Sequence, residues 1–159
     1  MNEFSENGLR LLKQWEGSRS VMYRDAAGLP TIGVGHLLTR SEMTSGKIVI
    51  KNQPVRYATG LSEQQIIDLL AQDVRPAALC VQTYVLVPLN QNQFDALVSF
   101  VFNVGQGAFR GSTLLKLLNQ RQYAAVPDQL RRWTRAGGQV IHGLQFRREN
   151  EIKLWNQSL

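Results

Sequence analysis

The chain has 159 residues, with 18 Lys and Arg against 12 Asp and Glu, a formal net charge of +6 and a single cysteine. That length suits one domain burying roughly 70% of its unfolded surface. The lone Cys80 excludes an internal disulfide framework, and no run approaches the ~20 apolar residues of a membrane span.

The opening Met1-Asn2-Glu3-Phe4-Ser5-Glu6-Asn7 is polar and acidic, without the basic start and apolar core of a secretory signal. Ser5 is placed to cap a helix whose stripe runs through Leu9, Leu12 and Glu16, and Gly17 supplies the left-handed residue that ends it. This predicts Glu16 on the buried face at the negative end of the helix dipole. Both conditions oppose ionisation, which is what a general acid working near neutrality requires. Val21-Met22-Tyr23-Arg24 is β-prone, Asp25 to Pro30 reads as a turn and Thr31 to Gly35 as a second strand. A hairpin of this kind brings the Asp25 carboxylate and the Thr31 hydroxyl close enough to hold one water. Glycosidic hydrolysis commonly uses a protonated carboxyl group for the leaving oxygen and an ionised one for water or for the sugar. Glu16 and Asp25 fit those parts. Taken singly, each residue also has a structural reading: a solvated helix end, a turn residue and a strand residue.

Gly46 to Lys51 alternates like a strand, and Asn52-Gln53-Pro54 breaks it. Residues 44 to 58 therefore read as an elaborated loop or extra hairpin, able to add strands to the small sheet. Ser62 with Gln65 forms a capping box for a long helix carrying Ile66, Ile67, Leu70 and Val74, which Pro76 ends or kinks. Asn90 with Gln93 repeats the box ahead of Phe94, Leu97, Val98, Val101 and Phe102, and Gly105 stops that helix. Further helices are predicted from Ser112 to about Asn119, Gln122 to about Trp133 and Leu144 to Trp155, leaving the C-terminal lobe all helix. Cys80, in an apolar run, reads as a core thiol. His36 reads as a hydrogen-bonding residue that orders the small lobe. His36 and His142 lack partners at ligand spacing, so neither a metal nor any other cofactor is implied. Arg131-Arg132-Trp133-Thr134-Arg135 and Arg147-Arg148 concentrate positive charge, for recruitment to an anionic polymer or as a solvated basic face around a packed Trp133. One of Arg147 and Arg148 could instead pair with Glu16. No complete nucleic-acid recognition motif is present.

The stretches Trp15-Glu16-Gly17, Tyr23-Arg24-Asp25 and Gly28 to Thr39 resemble the active-site segment of the phage-type lysozymes, the endolysins that cut peptidoglycan. The likeness continues through Pro88 to Phe100, Phe102 to Gly105, Ser112-Thr113-Leu114, Gly143-Leu144 and Arg147-Arg148-Glu149, and so covers nearly the whole chain. It implies an α+β, two-lobe lysozyme fold forming a single domain over 1-159. A small β-hairpin lobe would span about 17-60, and a helical lobe about 61-159 would pack with the N-terminal helix. It implies hydrolysis of the β-1,4 bond between N-acetylmuramic acid and N-acetylglucosamine, with Glu16 as general acid, Asp25 as second carboxylate and general base, and Thr31 placing the water. By the same resemblance Leu37, Phe102 and Ser112 line the sugar site. The implied setting is the bacterial host cytoplasm, then the periplasm or wall after a membrane lesion typically made by a holin. Peptidoglycan would be the partner and a monomer the working form, without nucleic acid. The alternative reading is a catalytically weak cationic module that binds the wall or assists lysis.

Overall fold

The computed structural model describes residues 3–158, so Met1 and Asn2 of the polar opening lie outside the described residues. The chain divides into two compact units, residues 9–73 and residues 3–8 with 74–158. Helix α1, Glu6–Glu16, begins within the second of these, the helical unit, and runs on into the first. Ser5 caps it as expected: its Oγ accepts from the Gly8 amide at 2.9 Å and donates to the buried Asp95 carboxylate of the helical unit. Gly17 ends α1 at φ 76°, its N–H donating to the Lys13 carbonyl at 2.9 Å. A left-handed residue at this position is the usual helix stop, and glycine adopts it without a Cβ clash.

In the first unit, strands β1 (Arg19–Arg24), β2 (Pro30–Gly33) and β3 (His36–Leu37) form an antiparallel sheet in that order. Helix α2, Arg40–Ser45, follows through a capping box in which Thr39 and Glu42 satisfy each other's amides. The sequence reading passed over this helix, although Thr39 and Glu42 carry the same spacing that marked the longer helices. Strands β4 (Lys47–Ile50) and β5 (Gln53–Arg56) make a hairpin across Lys51 and Asn52, at φ 50° and 63°. It is a separate two-stranded sheet, so it adds no strand to the first one. Pro54 does not break it. Pro54 pairs with Val49 inside β5, which is tolerated because each strand of a two-stranded sheet has an edge with no ladder to lose. Ile48 and Ile50 turn inward while Lys47 and Val49 stay exposed. Ile32 and Val34 of the first sheet, with Ile66, Leu69 and Leu70, complete the apolar interior of this unit.

Helix α3, Glu63–Tyr84, opens on the predicted box: Ser62 Oγ accepts from the Gln65 amide and Gln65 Oε1 from the Ser62 amide. Pro76 does not end it. A proline removes one backbone bond at about 3 kcal/mol, a loss that a helix of 22 residues survives when its apolar positions, among them Val74, Ala77 and Val81, are buried.

The second unit is built on α4, Gln91–Val104, which is buried along most of its length. It packs against α8, His142–Asn156, and α5, Gln106–Arg110, while α7, Val126–Arg131, lies against α8 and α6, Thr113–Asn119. The predicted Asn90–Gln93 box and the Gly105 stop are both present. The helix expected from Gln122 to Trp133 is instead a 3-10 turn at Tyr123–Ala125 followed by the short α7. Pro127 is the reason, since proline fits the first turn of a helix and not its interior. Nor is this part of the chain all helix. Strands β6 (Arg135–Ala136) and β7 (Gln139–Val140) pair across Gly137 and Gly138, both at positive φ, a signature the Gly-Gly pair already carried. Cys80 is a free, buried thiol whose pKa burial pushes up. Among the described residues, no helix is long and apolar enough to cross a membrane.

Candidate active site

Glu16 is the last residue of α1. Leu12, one turn earlier on its stripe, is fully buried, but Glu16 itself is exposed. The expectation of a carboxyl group on the buried face is therefore corrected: the stripe leaves the interior in the final turn of the helix. Its place at the negative end of the helix dipole stands. Two residues past Gly17 the chain enters β1, so the helix end and the sheet are joined by the shortest of links.

Asp25 is half-buried at the end of β1. Its Oδ1 accepts from the Ala27 and Leu29 amides, each at 2.9 Å, while its own amide donates to the Leu29 carbonyl at 2.9 Å. The carboxylate thus builds the turn that carries it, as Asp does when it bonds the backbone two residues on. Arg24 braces the same turn, with Nη1 donating to the Gly28 carbonyl at 3.0 Å. Oδ2 accepts no hydrogen bond from the described residues, so half of this carboxylate's accepting capacity is left over.

Thr31 lies in β2 with 2% of its surface exposed. Its hydroxyl donates to the Leu29 carbonyl at 2.9 Å. With its one proton committed there, Oγ1 presents only lone pairs to a further partner. The register relates the two residues. Thr31 pairs with Tyr23 on one side and with Leu37 on the other, and Asp25 lies two positions beyond Tyr23 with the ladder continued by its bond to Leu29. Side chains two apart on a strand share a face, so Asp25, Tyr23, Thr31 and Leu37 belong to one face of this sheet. Leu37 is 51% exposed there, as is 48% of Leu29. Leu29 and Tyr23 share this face with Thr31, and the strand alternation that places Thr31 there would have placed them too.

His36 is held at both nitrogens, Nδ1 by Asp73 at 2.8 Å and Nε2 by Glu42 at 2.9 Å. Burial alone would depress its pKa, but the hydrogen bonds and charges of Asp73 and Glu42 outweigh that and raise it to about 9. The imidazolium thus ties β3 to the start of α2 and to α3, which is the ordering role the sequence suggested. Phe102 and Ser112 belong to the helical unit. Phe102 is half-buried on α4. Ser112 is buried and caps α6, its Oγ accepting from the Leu115 amide at 3.1 Å and donating to the Phe109 carbonyl at 2.7 Å.

Arg147 and Arg148 are not part of a basic surface. They are 4% and 0% exposed and both pair with the fully buried Glu151, at 3.1 and 2.8 Å. Arg147 also donates to the Ser99 carbonyl at 2.9 Å, and the Arg148 guanidinium lies over the Phe100 ring at 5.0 Å. Trp133 meets the same ring edge-on at 5.6 Å. Arg131 is committed to Asp128 and Glu149, at 3.1 and 3.0 Å. The apparent cationic cluster is therefore divided: Arg147 and Arg148 are internal to the helical unit, Arg131 is exposed but ion-paired, and Arg132 and Arg135 are exposed.

Comparison with known proteins follows the same pattern. The sequence profile of the family described as phage lysozyme matches residues 13–151. An endolysin of Salmonella phage P22 is 39% identical over 137 residues, spanning 86% of this chain and 87% of that protein. A crystal structure of a P22 lysozyme mutant is similar with a TM-score of 0.82 and 37% identity, covering 99% of this chain and all of the other. The muramidase domain of SpmX from Asticaccaulis excentricus is similar with a TM-score of 0.80 and 31% identity over 99% of this chain and all of that domain.

Proposed function

The chain belongs to the phage lysozyme family, and from that premise we propose that it hydrolyses the β-1,4 bond between N-acetylmuramic acid and N-acetylglucosamine, with Glu16 as acid and Asp25 as base. As a glycoside hydrolase of the peptidoglycan-lytic lysozyme kind it acts on bacterial cell walls. The observation that carries the finer reading is the divided carboxylate of Asp25: one oxygen is committed to the turn, and the other is left over on the sheet face shared with Thr31.

A water there donates one hydrogen to Asp25 Oδ2 and the other to Thr31 Oγ1. Both of its hydrogens are then bonded and a lone pair is left to attack the anomeric carbon. As that bond forms, the bond from the anomeric carbon to the bridging oxygen breaks, Glu16 gives its proton to the bridging oxygen, and Asp25 takes one from the water. The products are a reducing N-acetylmuramic acid end and a free 4-hydroxyl on N-acetylglucosamine. With Glu16 exposed in the free enzyme, the bound sugar would supply its desolvation, covering the carboxyl group only when there is a leaving oxygen to protonate. By the family resemblance, Leu37 of the first unit and Phe102 and Ser112 of the helical unit are each proposed to contact the glycan. A monomer reaches the wall from the host cytoplasm through a lesion made by a holin-type partner.

The test is mass analysis of muropeptides released from purified sacculi. Reducing N-acetylmuramic acid ends are expected. Anhydro ends would replace hydrolysis by transglycosylation, and free stem peptides would replace the glycosidase assignment altogether. Proton NMR of the first-formed anomer distinguishes base from nucleophile: inversion fits Asp25 as base, whereas retention makes it the nucleophile.

A further inference from the structure

The exposed face of the β4–β5 hairpin sets two cations against each other. Lys47 and Arg56 are direct cross-strand partners, both are exposed, and neither has an ion-pair partner among the described residues. Like charges in that relation repel and weaken a hairpin, so an arrangement that brings them together without an internal anion has an unmet demand for an external one. The next pair on the same face is apolar: Val49, 58% exposed, opposite Pro54, also exposed.

This surface is held rigidly from beneath. Ile48 and Ile50 are 1% and 4% exposed on the inner face. Gln72 of α3 clamps the hairpin at both ends of its amide, donating to the Val49 carbonyl at 3.0 Å and accepting from the Lys51 amide at 2.9 Å. Tyr57, just after β5, donates to the Glu42 carbonyl of α2 at 2.9 Å. A cation pair beside an apolar pair, on a pinned two-stranded platform, is preorganised for an extended partner that offers a carboxylate and then a small apolar side chain.

We propose that this hairpin face docks the stem peptides of peptidoglycan, with Lys47 and Arg56 sharing a stem carboxylate and Val49 and Pro54 receiving the neighbouring apolar side chain. The proposal rests on the muramidase reading above and adds a second contact with the same polymer, through the stem peptide. It also relocates wall recruitment from the buried Arg147 and Arg148 to cations that are free to act.

The experiment compares the native chain with the double variant Lys47→Gln/Arg56→Gln in co-sedimentation with purified sacculi freed of phosphate polymers, at low and high salt. The variant is expected to bind about fivefold more weakly at low salt, as two exposed ion pairs would give, and equally at high salt, where such pairs are screened. On glycan strands stripped of stem peptides by an amidase, its rate of reducing-end release should match the native rate. Equal binding of both proteins to intact sacculi at low salt overturns the proposal, as does a loss of equal size on peptide-free strands. On walls that keep their phosphate polymers, a difference that survives amidase treatment and disappears on phosphate removal also overturns it. Urea unfolding of the variant, expected at the native midpoint or above it, checks the fold. Failure of the muramidase reading would show separately, as absence of reducing ends from the native chain on either substrate while the binding comparison still stands.

Discussion

Two carboxylates in this molecule, Asp25 and Glu151, each stand beside an arginine in sequence or structure, and they do opposite things. Glu151 is fully buried, takes Arg147 and Arg148 at 3.1 and 2.8 Å and accepts from Ser99 Oγ at 2.6 Å. Burial pushes its pKa up against the pull of Arg148, Arg147 and that hydroxyl. Asp25 is half-buried, and although Oδ1 is committed to two amides, Oδ2 has no bond from the described residues. The lesson is that charge alone does not mark a site. Hydrogen-bonding capacity left over at a fixed position does, because only such a group can accept a proton without dismantling what holds it.

The comparison breaks first at the two proposed reacting groups. Glu16→Gln and Asp25→Asn are each expected to cut reducing-end release by about 10³-fold, within the range of general acid–base catalysis, with the unfolding midpoint close to native. Retention of native activity by either variant would remove that residue from the chemistry. Glu151→Gln should do the reverse. Stranding two guanidiniums in the interior costs about 3 to 5 kcal/mol, to be measured by urea unfolding, whereas the folded fraction at low temperature should turn over normally. An unchanged midpoint would show that the cluster contributes no net stability.

How far this was legible differs between the two regions for a physical reason. The Asp25 turn is local: an Asp, a Gly at positive φ and a strand on either side all lie between Arg19 and Gly33, and short-range rules of turns and pairing reach that far. The helix caps at Ser5, Ser62 and Asn90 were equally local, and all three are present. The role of Arg147 and Arg148 is not local. Ser99 lies 48 residues before Arg147, and only packing of α4 on α8 turns what reads as a basic run into a buried network. Glu16 failed for a related reason. Periodicity assigns a residue to a helix face, but it does not say where along that face the interior ends.

His36 sharpens the comparison, being a charged group that is partly buried and doubly bonded yet able to titrate in an experimentally accessible pH range. Its folded pKa of about 9 lies above the ordinary 6.5, so the fold prefers the protonated ring. The stabilisation is complete below about pH 6.5 and is lost as pH rises through about 9, with a full size of about 3 kcal/mol. Urea unfolding across that window should show the fall in the native chain and a flatter profile in His36→Gln. A native profile that is flat or rising would mean that Asp73 and Glu42 do not hold the imidazolium.

Thr31 gives the smallest effect and the finest distinction. Thr31→Val keeps the branched shape that a 2% exposed strand position requires, but removes both the bond to the Leu29 carbonyl and the lone pairs facing any water. If the hydroxyl only braces the turn, the change should appear as about 1 kcal/mol of stability with kcat unaltered. If it holds the second hydrogen of the attacking water, kcat should fall about tenfold, equivalent to about 1.4 kcal/mol in the barrier, with KM unchanged. Thr31→Ser, which restores the oxygen without the methyl group, should then recover most of the rate while remaining less stable than native. The second pattern is the one expected, and a serine variant as slow as the valine one would leave Thr31 a strand residue with no part in the proposed chemistry.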